Sequence, residues 1–118
     1  MRIPIITLTV ILASVLIAVA LPKLLGQLEM RNRMARIGVS AGLTRTIGIL
    51  EIAGIAGLLL GLLWWPVGVA AAVGLTLLLI GAAVYHIRAK DPVPMAVVPV
   101  AFAVAAAAIA VMHVLANN

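Results

Sequence analysis

One carboxylate inside a long apolar stretch is the residue of this sequence with the clearest capacity for chemistry. Glu51 lies in the run GILEIAGIAGLLLGLLWW, which occupies residues 48–65. A carboxylate in such a setting can hold a proton, bind a polar group or neutralise a cation. Three basic residues could meet it: Arg45 stands six positions earlier, and His86 and Arg88 stand further along the chain. What these residues can do depends on the solvent around them.

The composition places the chain in a membrane. Of its 118 residues, 66% are hydrophobic and 9% are charged, whereas soluble proteins have about half apolar and about a quarter charged residues. A soluble domain of this length has too little interior to bury so many Leu, Ile, Val and Ala side chains. We therefore expect lipid to cover them, in a single integral membrane domain over residues 1–118.

The residue types exclude several classes of function. The chain has no cysteine, so disulfides, thiolate metal sites and iron–sulfur clusters are ruled out. The formal net charge is +5, but the cations lie at segment ends and the aromatic residues are two Trp, one Tyr and one Phe, which does not predict nucleic-acid binding. No His, Asp or Glu residues have metal-ligand spacing, and no nucleotide-binding motif is present. His113, near the end of the chain, is interpreted as an interfacial residue.

Four apolar stretches are long enough to cross the hydrocarbon core, which takes about 20 residues. They cover residues 3–22, 43–63, 67–88 and 94–115. The short links after the second and third stretches force antiparallel neighbours. The sequence therefore predicts an all-α transmembrane four-helix bundle. The first stretch could instead be a cleaved signal peptide, because Arg2 precedes the apolar run and Ala18-Val19-Ala20 is a small-residue site, but its length favours a span.

The distribution of Lys and Arg predicts the orientation of the bundle. Seven of the eight cations flank the first and third connections: Lys23, Arg31, Arg33, Arg36, Arg45, Arg88 and Lys90. Arg2 alone lies on the opposite side. We therefore expect these two connections on the inner face. Both termini and the Trp64-Trp65-Pro66 turn are expected on the outer face, where Trp suits an interfacial belt.

The first connection has the pattern of a short amphipathic helix on the inner leaflet. Its apolar face carries Met30, Met34 and Ile37. Its polar face carries Glu29, Asn32, Arg33 and Arg36. Two interpretations stay open. The segment is either a basic loop attracted to anionic headgroups, with Lys23, Arg31, Arg33 and Arg36 at the membrane surface, or a helix that docks under the bundle and closes a pocket.

Glycines predict where helices approach each other closely in lipid. The second span carries a stripe beside Glu51 that consists of Gly54, Gly57 and Gly61. The third span carries Gly74 and Gly81 along one side. These glycines could pack helices within the bundle or form the interface of a homo-oligomer.

The depth of Glu51 predicts a partner for it. A charged group inside a span usually faces the bundle interior and pairs with another group, and we expect His86 or Arg88 to be that partner. Arg45 points away along its own helix and is a poorer candidate. The site could be a structural clamp, or a small polar site for a proton, a lipid headgroup or a quinone-like ring. Glu51 could also be protonated, or face water at the inner side.

Three ordered segments resemble the DoxX-like family of small four-span bacterial membrane proteins. They are PKLLG at residues 22–26, RTIGILEIAGIAGLLLGL at 45–62 and GAAVYHIRAKD at 81–91. The family pattern has a Lys after the first span, a Glu in the second, and a His with following basic residues after the third. These correspond here to Lys23, Glu51, His86 and Arg88. The resemblance implies a four-helix bundle in the bacterial inner membrane.

Two functions are compatible with these residues. The resemblance implies an accessory or binding subunit, since some relatives are membrane subunits of thiosulfate:quinone oxidoreductase or of other membrane oxidoreductase complexes. Such a subunit would hold a quinone or a lipid, or dock a membrane protein partner. The alternative is a small membrane enzyme that uses Glu51 and His86 as an acid–base pair. No nucleophile, metal ligand set or flavin or nicotinamide motif stands beside that pair in the sequence.

Overall fold

The computed structural model describes residues 2–36 and 38–118, and these residues are almost entirely helical. Its helices are α1 (Arg2–Leu25), α2 (Leu28–Arg36), α3 (Ala41–Leu60), α4 (Trp65–Arg88) and α5 (Val93–Ala116). All but α2 are long and apolar enough to cross a membrane. The predicted all-α bundle with a short helix in its first connection is therefore confirmed. Ile37, which we assigned to the apolar face of that connection, lies outside the described residues.

Glycine and serine set the helix boundaries around α2. Gly26 and Gly38 have φ angles of 68° and 90°, a left-handed conformation that glycine adopts without strain. After each of these glycines the next amide donates back to the preceding helix, from Gln27 N to the Pro22 oxygen at 3.2 Å and from Val39 N to the Met34 oxygen at 2.9 Å. This pattern closes a helix C-terminus. Ser40 then caps α3, because its hydroxyl accepts a hydrogen bond from Leu43 N at 3.1 Å.

The four long helices form a ring. Helix α3 packs between α1 and α4, and α5 closes the ring by packing against α4 and α1. Among the described residues, no Cα atom of α1 lies within 8 Å of a Cα atom of α4, and the same holds for α3 and α5, so these pairs are diagonally opposite. This order gives α3 two different contact faces. One face meets α1 and the other meets α4.

The interior of the ring is apolar and the outside is lipid-like. Leu16, Leu58, Leu75 and Ile109, one from each long helix, are at most 2% exposed. Large apolar side chains cover the outer surface, such as Leu77, which is 66% exposed. A soluble protein does not expose so much apolar surface, and lipid is the solvent that suits it. The chain is thus built as a multi-pass membrane protein.

The glycines of α3 hold it close to α4, as predicted, but those of α4 do not. A Cβ atom at Gly57 would lie 2.6 Å from the Ala71 Cβ, and one at Gly54 would lie 2.6 Å from the Leu75 side chain. Gly61 lies against the backbone of Gly68. By contrast, a Cβ at Gly74 or Gly81 would meet no atom of the described chain within 4 Å. Our assignment of these two glycines to close packing within the bundle was wrong, because open space lies beside each of them and Gly74 lines a groove between α3 and α4. A homo-oligomer interface at these glycines stays a prediction.

Helix α2 docks against the end of the bundle. Met34 and Val39 are 9% and 1% exposed, and they pack with Met30, Ile47 and Ala89. The polar side of the helix stays outside, where Arg33 donates to Glu29 at 3.0 Å. Of the two interpretations left open, the structure supports the docking of the helix, while neither of the two cavities described below is lined by α2.

We predict that Gly57→Leu destabilises the bundle while Gly74→Leu does not. A side chain at 57 must push α3 and α4 apart, and overpacking of this kind costs about 1–3 kcal/mol, whereas a side chain at 74 enters open space. The measurement is the thermal unfolding midpoint of both purified variants in one detergent. Equal midpoints for the two variants would contradict the assignment of Gly57 to the α3–α4 contact.

Candidate functional site

Lys23 and Glu51 form a buried ion pair between α1 and α3. The Lys23 ammonium donates to Glu51 Oε1 at 2.7 Å, and their side chains are 11% and 3% exposed. Our prediction that His86 or Arg88 pairs with Glu51 was therefore wrong, as was the placement of Lys23 at the membrane surface. Glu51 does face the bundle interior, as expected.

The length of α1 explains why Lys23 reaches the interior. Helix α1 continues past Pro22 to Leu25, so Lys23 stands inside the last helical turn instead of in a surface loop. Opposite it, a Cβ at Gly48 would lie 2.8 Å from Leu24 N and 3.2 Å from the Lys23 Cβ. The absence of a side chain at 48 lets the two backbones approach, and Glu51 lies one turn further along α3 to receive the lysine.

The two faces of α3 explain why α4 supplies no partner. Gly57, which contacts α4, is six residues from Glu51, or about 120° around the helix at 3.6 residues per turn. Glu51 shares the α1-facing side with Gly48. Helices α3 and α4 therefore contact each other through glycines, whereas the Glu51 carboxylate lies on the side of α3 that faces α1.

His86 has its own carboxylate, which the sequence analysis did not single out. His86 Nδ1 lies 2.7 Å from Asp91 Oδ2, and Arg36 at the end of α2 lies 3.4 Å from the other Asp91 oxygen. The Asp91 side chain is only 5% exposed. This cluster ties α2 to the α4–α5 connection. The spacing of five residues across the end of a helix was the signal that could have revealed the His86–Asp91 pair.

The remaining predicted site residues lie apart from the ion pair. Arg45 and Arg88 are exposed, so they do not join Glu51 in one site. Exposed positions are also found for Arg31, Arg33 and Arg36, whose contact with a membrane surface stays a prediction. Glu51 and the three residues that we grouped around it thus belong to different parts of the same end of the bundle.

The second carboxylate oxygen of Glu51 is also closed to solvent. Glu51 Oε2 is buried and has no hydrogen-bond partner among residues 2–36 and 38–118. Neither of the cavities described below is lined by Lys23, Glu51 or His86. Within the described residues, no three His, Asp or Glu side chains are placed to hold a metal ion. The arrangement can lock two helices together, and an acid–base reaction at Glu51 would first require the pair to open.

A cavity of about 420 Å³ lies at the opposite end of the bundle. Its walls include Arg2, Gly61, Trp65, His113 and Asn117. His113 is 3% exposed, and its Nε2 has no hydrogen-bond partner in the described part of the chain. We interpreted His113 as an interfacial residue, but its ring is buried within the bundle.

A second cavity of about 620 Å³ is an apolar groove between α3 and α4. Small residues line it, among them Ala53, Ala70 and Gly74, with Leu50 and Leu77 at its sides. No charged or polar side chain lines it, so no side chain there could orient a ligand by a hydrogen bond or an ion pair.

We predict that substitutions of Lys23 and Glu51 are strongly non-additive. Removing one partner of a buried ion pair costs about 3–5 kcal/mol because the other charge is left uncompensated. Lys23→Met combined with Glu51→Gln should therefore cost much less than the sum of the single changes. The measurement is thermal stability of the purified variants in one detergent at fixed pH.

The control cycle pairs Glu51→Gln with His86→Ala. Since Glu51 and His86 bind different partners, their effects should add. Additive costs in the Lys23–Glu51 cycle, or coupling in the Glu51–His86 cycle, would contradict the observed pairing.

Comparison with known proteins identifies the family. A family model described as the DoxX-like family matches residues 7–109, which takes in all three segments that carry the resemblance. No curated protein and no solved structure matches the chain. Because the matched region covers most of the sequence, from within α1 to within α5, the chain belongs to the DoxX-like family.

Proposed function

We propose that this chain is an accessory subunit of a complex in the bacterial inner membrane. The observation that carries the proposal is the separate pairing of its two best catalytic candidates. Glu51 is bound by Lys23 and His86 by Asp91, each at 2.7 Å. General acid–base catalysis requires both groups to reach one substrate. Two closed pairs on different helices favour a structural role for both.

The alternative function is an enzyme in which Glu51 and His86 act together on a quinone or another membrane-soluble substrate. That reaction would require the Lys23–Glu51 pair to separate and the two residues to converge. The unpartnered Glu51 Oε2 is the feature that this alternative would use. A charge-exchange experiment distinguishes it from the accessory role.

We also propose that both termini lie on the outer side of the inner membrane. The end of the bundle formed by α2 and the α4–α5 connection carries Lys23, Arg36 and Arg88, whereas Arg2 stands at the other end beside Leu62. Cytoplasmic connections are enriched in Lys and Arg.

The orientation predicts the activity of reporter fusions. Alkaline phosphatase fused after Asn118 should be active in intact bacteria, and the same enzyme fused after Lys90 should be inactive, because it folds only outside the cytoplasm. Immunoblots of the two fusions check that they accumulate equally. The reverse pattern would overturn the proposed orientation.

The charge-exchange variant tests the accessory role. In the variant Lys23→Glu with Glu51→Lys, opposite charges still face each other, so a clamp is preserved while the carboxylate leaves position 51. We predict that each single substitution lowers the amount of folded protein and of its co-purifying partner from native membranes. The double exchange should restore most of both. The measurement is quantitative mass spectrometry of the complex in mild detergent.

The exposed pair on α2 supplies a matched control. Exchanging Glu29 and Arg33, which are 83% and 49% exposed at their side chains, should leave folding and partner content unchanged, because exposed pairs contribute little. If the double exchange at 23 and 51 folds but loses a stoichiometric bound quinone, the enzyme alternative replaces the proposal. If the wild-type protein carries no stoichiometric protein partner, the accessory role fails.

A further inference from the structure

The Arg2–His113 cavity, the 420 Å³ space lined by Arg2, Gly61, Trp65, His113 and Asn117, has the chemistry of an anion site. It lies at the end of the bundle away from the ion pair, since Gly61 is ten residues from Glu51, or about 15 Å along α3. Its size falls in the usual range for small-molecule sites, about 300–1,000 Å³. Polar groups on one side face apolar walls that include Ile5 and Ile6.

Arg2 gives this end an uncompensated positive charge. Its guanidinium donates to the Leu62 oxygen at 3.3 Å, which leaves further N–H groups of its five available. The three acidic side chains of the chain are all engaged elsewhere: Glu29 with Arg33, Glu51 with Lys23, and Asp91 with His86 and Arg36. Within the described residues, therefore, no carboxylate side chain neutralises Arg2.

His113 provides a second and independent sign of a missing partner. Its ring is buried, and its Nε2 has no hydrogen-bond partner in residues 2–36 and 38–118. The ring packs against Gly68, where a Cβ would lie 2.7 Å from Nε2. Asn117 fixes the local backbone by donating to the His113 oxygen at 2.8 Å. A buried polar atom without a partner is costly. Because Nε2 lies against Gly68, which does not line the cavity, the ring must turn before a ligand oxygen in the cavity can accept its hydrogen bond.

We propose that the Arg2–His113 cavity binds a phosphate-bearing anion, and that an anionic phospholipid headgroup is its source. Arginine recognises phosphate through paired N–H groups. The His113 ring, once turned from Gly68 toward the cavity, donates a hydrogen bond to a further phosphate oxygen. Ile5, Ile6 and Leu63 lie beside the lipid backbone. Trp65 stands at the depth where membrane proteins place interfacial aromatic residues.

The test is ligand-dependent thermal stability of the purified, delipidated protein in a mild detergent. Phosphatidylglycerol should raise the unfolding midpoint, because a ligand that binds the folded state stabilises it. Phosphatidylcholine at the same concentration should raise it far less. Arg2→Gln should weaken the phosphatidylglycerol effect by about tenfold or more in affinity, as expected for loss of a charge-assisted hydrogen bond.

Two further variants keep the test sharp. His113→Phe keeps a planar aromatic ring, slightly larger than imidazole, and removes both nitrogens, so it should bind phosphatidylglycerol more weakly. Lys90→Gln removes a cation from the exposed connection between α4 and α5 and should bind as the wild type does. If Lys90→Gln and Arg2→Gln have equal effects, lipid binding reflects net charge and the site is refuted.

Inorganic phosphate distinguishes the two sources of the anion. No stabilisation by phosphate alone, together with the phosphatidylglycerol effect, supports the lipid headgroup. An equal shift with phosphate alone supports the anion site and overturns its lipid source. No shift with either ligand, or shifts that survive Arg2→Gln, overturns the proposal.

Discussion

A single buried ion pair sets the register of this bundle. Lys23 and Glu51 sit at 2.7 Å in an environment that is nearly closed to solvent, where each charge is costly without the other. Their pairing fixes how far α1 extends along α3. Gly48 lies opposite Leu24, near the end of α1. Because α3 begins seven residues before Gly48, at Ala41, it extends beyond α1 by about two turns. That overhang is where α2 packs, through Met34 and Val39 against Ile47.

The two ends of the molecule have opposite electrostatic character. At the α2 end, all three carboxylate side chains of the chain are paired with cations, and Asp91 joins α2 to the end of α4. Two of these groups join different elements: Lys23–Glu51 joins α1 to α3, and Asp91 with Arg36 and His86 joins α2 to the end of α4. At the other end, Arg2 and His113 line a cavity, and His113 Nε2 has no hydrogen-bond partner among the described residues. The membership in the DoxX-like family assigns no reaction to either end.

Sequence reasoning located the architecture but not the partners. The length and the composition of the apolar stretches were sufficient to predict the four spans. A crossing helix needs about 20 apolar residues, and its backbone hydrogen bonds must be made within the helix. The inward direction of Glu51 and the close contact at Gly57 also followed from such rules. The partner of Glu51 did not, since adjacency of α3 and α4 says nothing about which face of α3 carries the carboxylate. Lys23 was missed because Pro22 suggested a helix end, and His113 because burial at a bundle end depends on the packing of α1 and α5.

Solid-state NMR of the protein in lipid bilayers tests the ion pair most directly. The chain has two lysines, Lys23 and Lys90, and two glutamates, Glu29 and Glu51, so labelling Lys with ¹⁵N at Nζ and Glu with ¹³C at Cδ gives few signals. With Lys90→Arg and Glu29→Gln as the background, one pair remains. We predict a strong short-range ¹⁵N–¹³C coupling and a carboxylate chemical shift, consistent with 2.7 Å between Nζ and Oε1. An absent coupling, or a protonated carboxyl shift, would contradict the clamp on which the bundle depends.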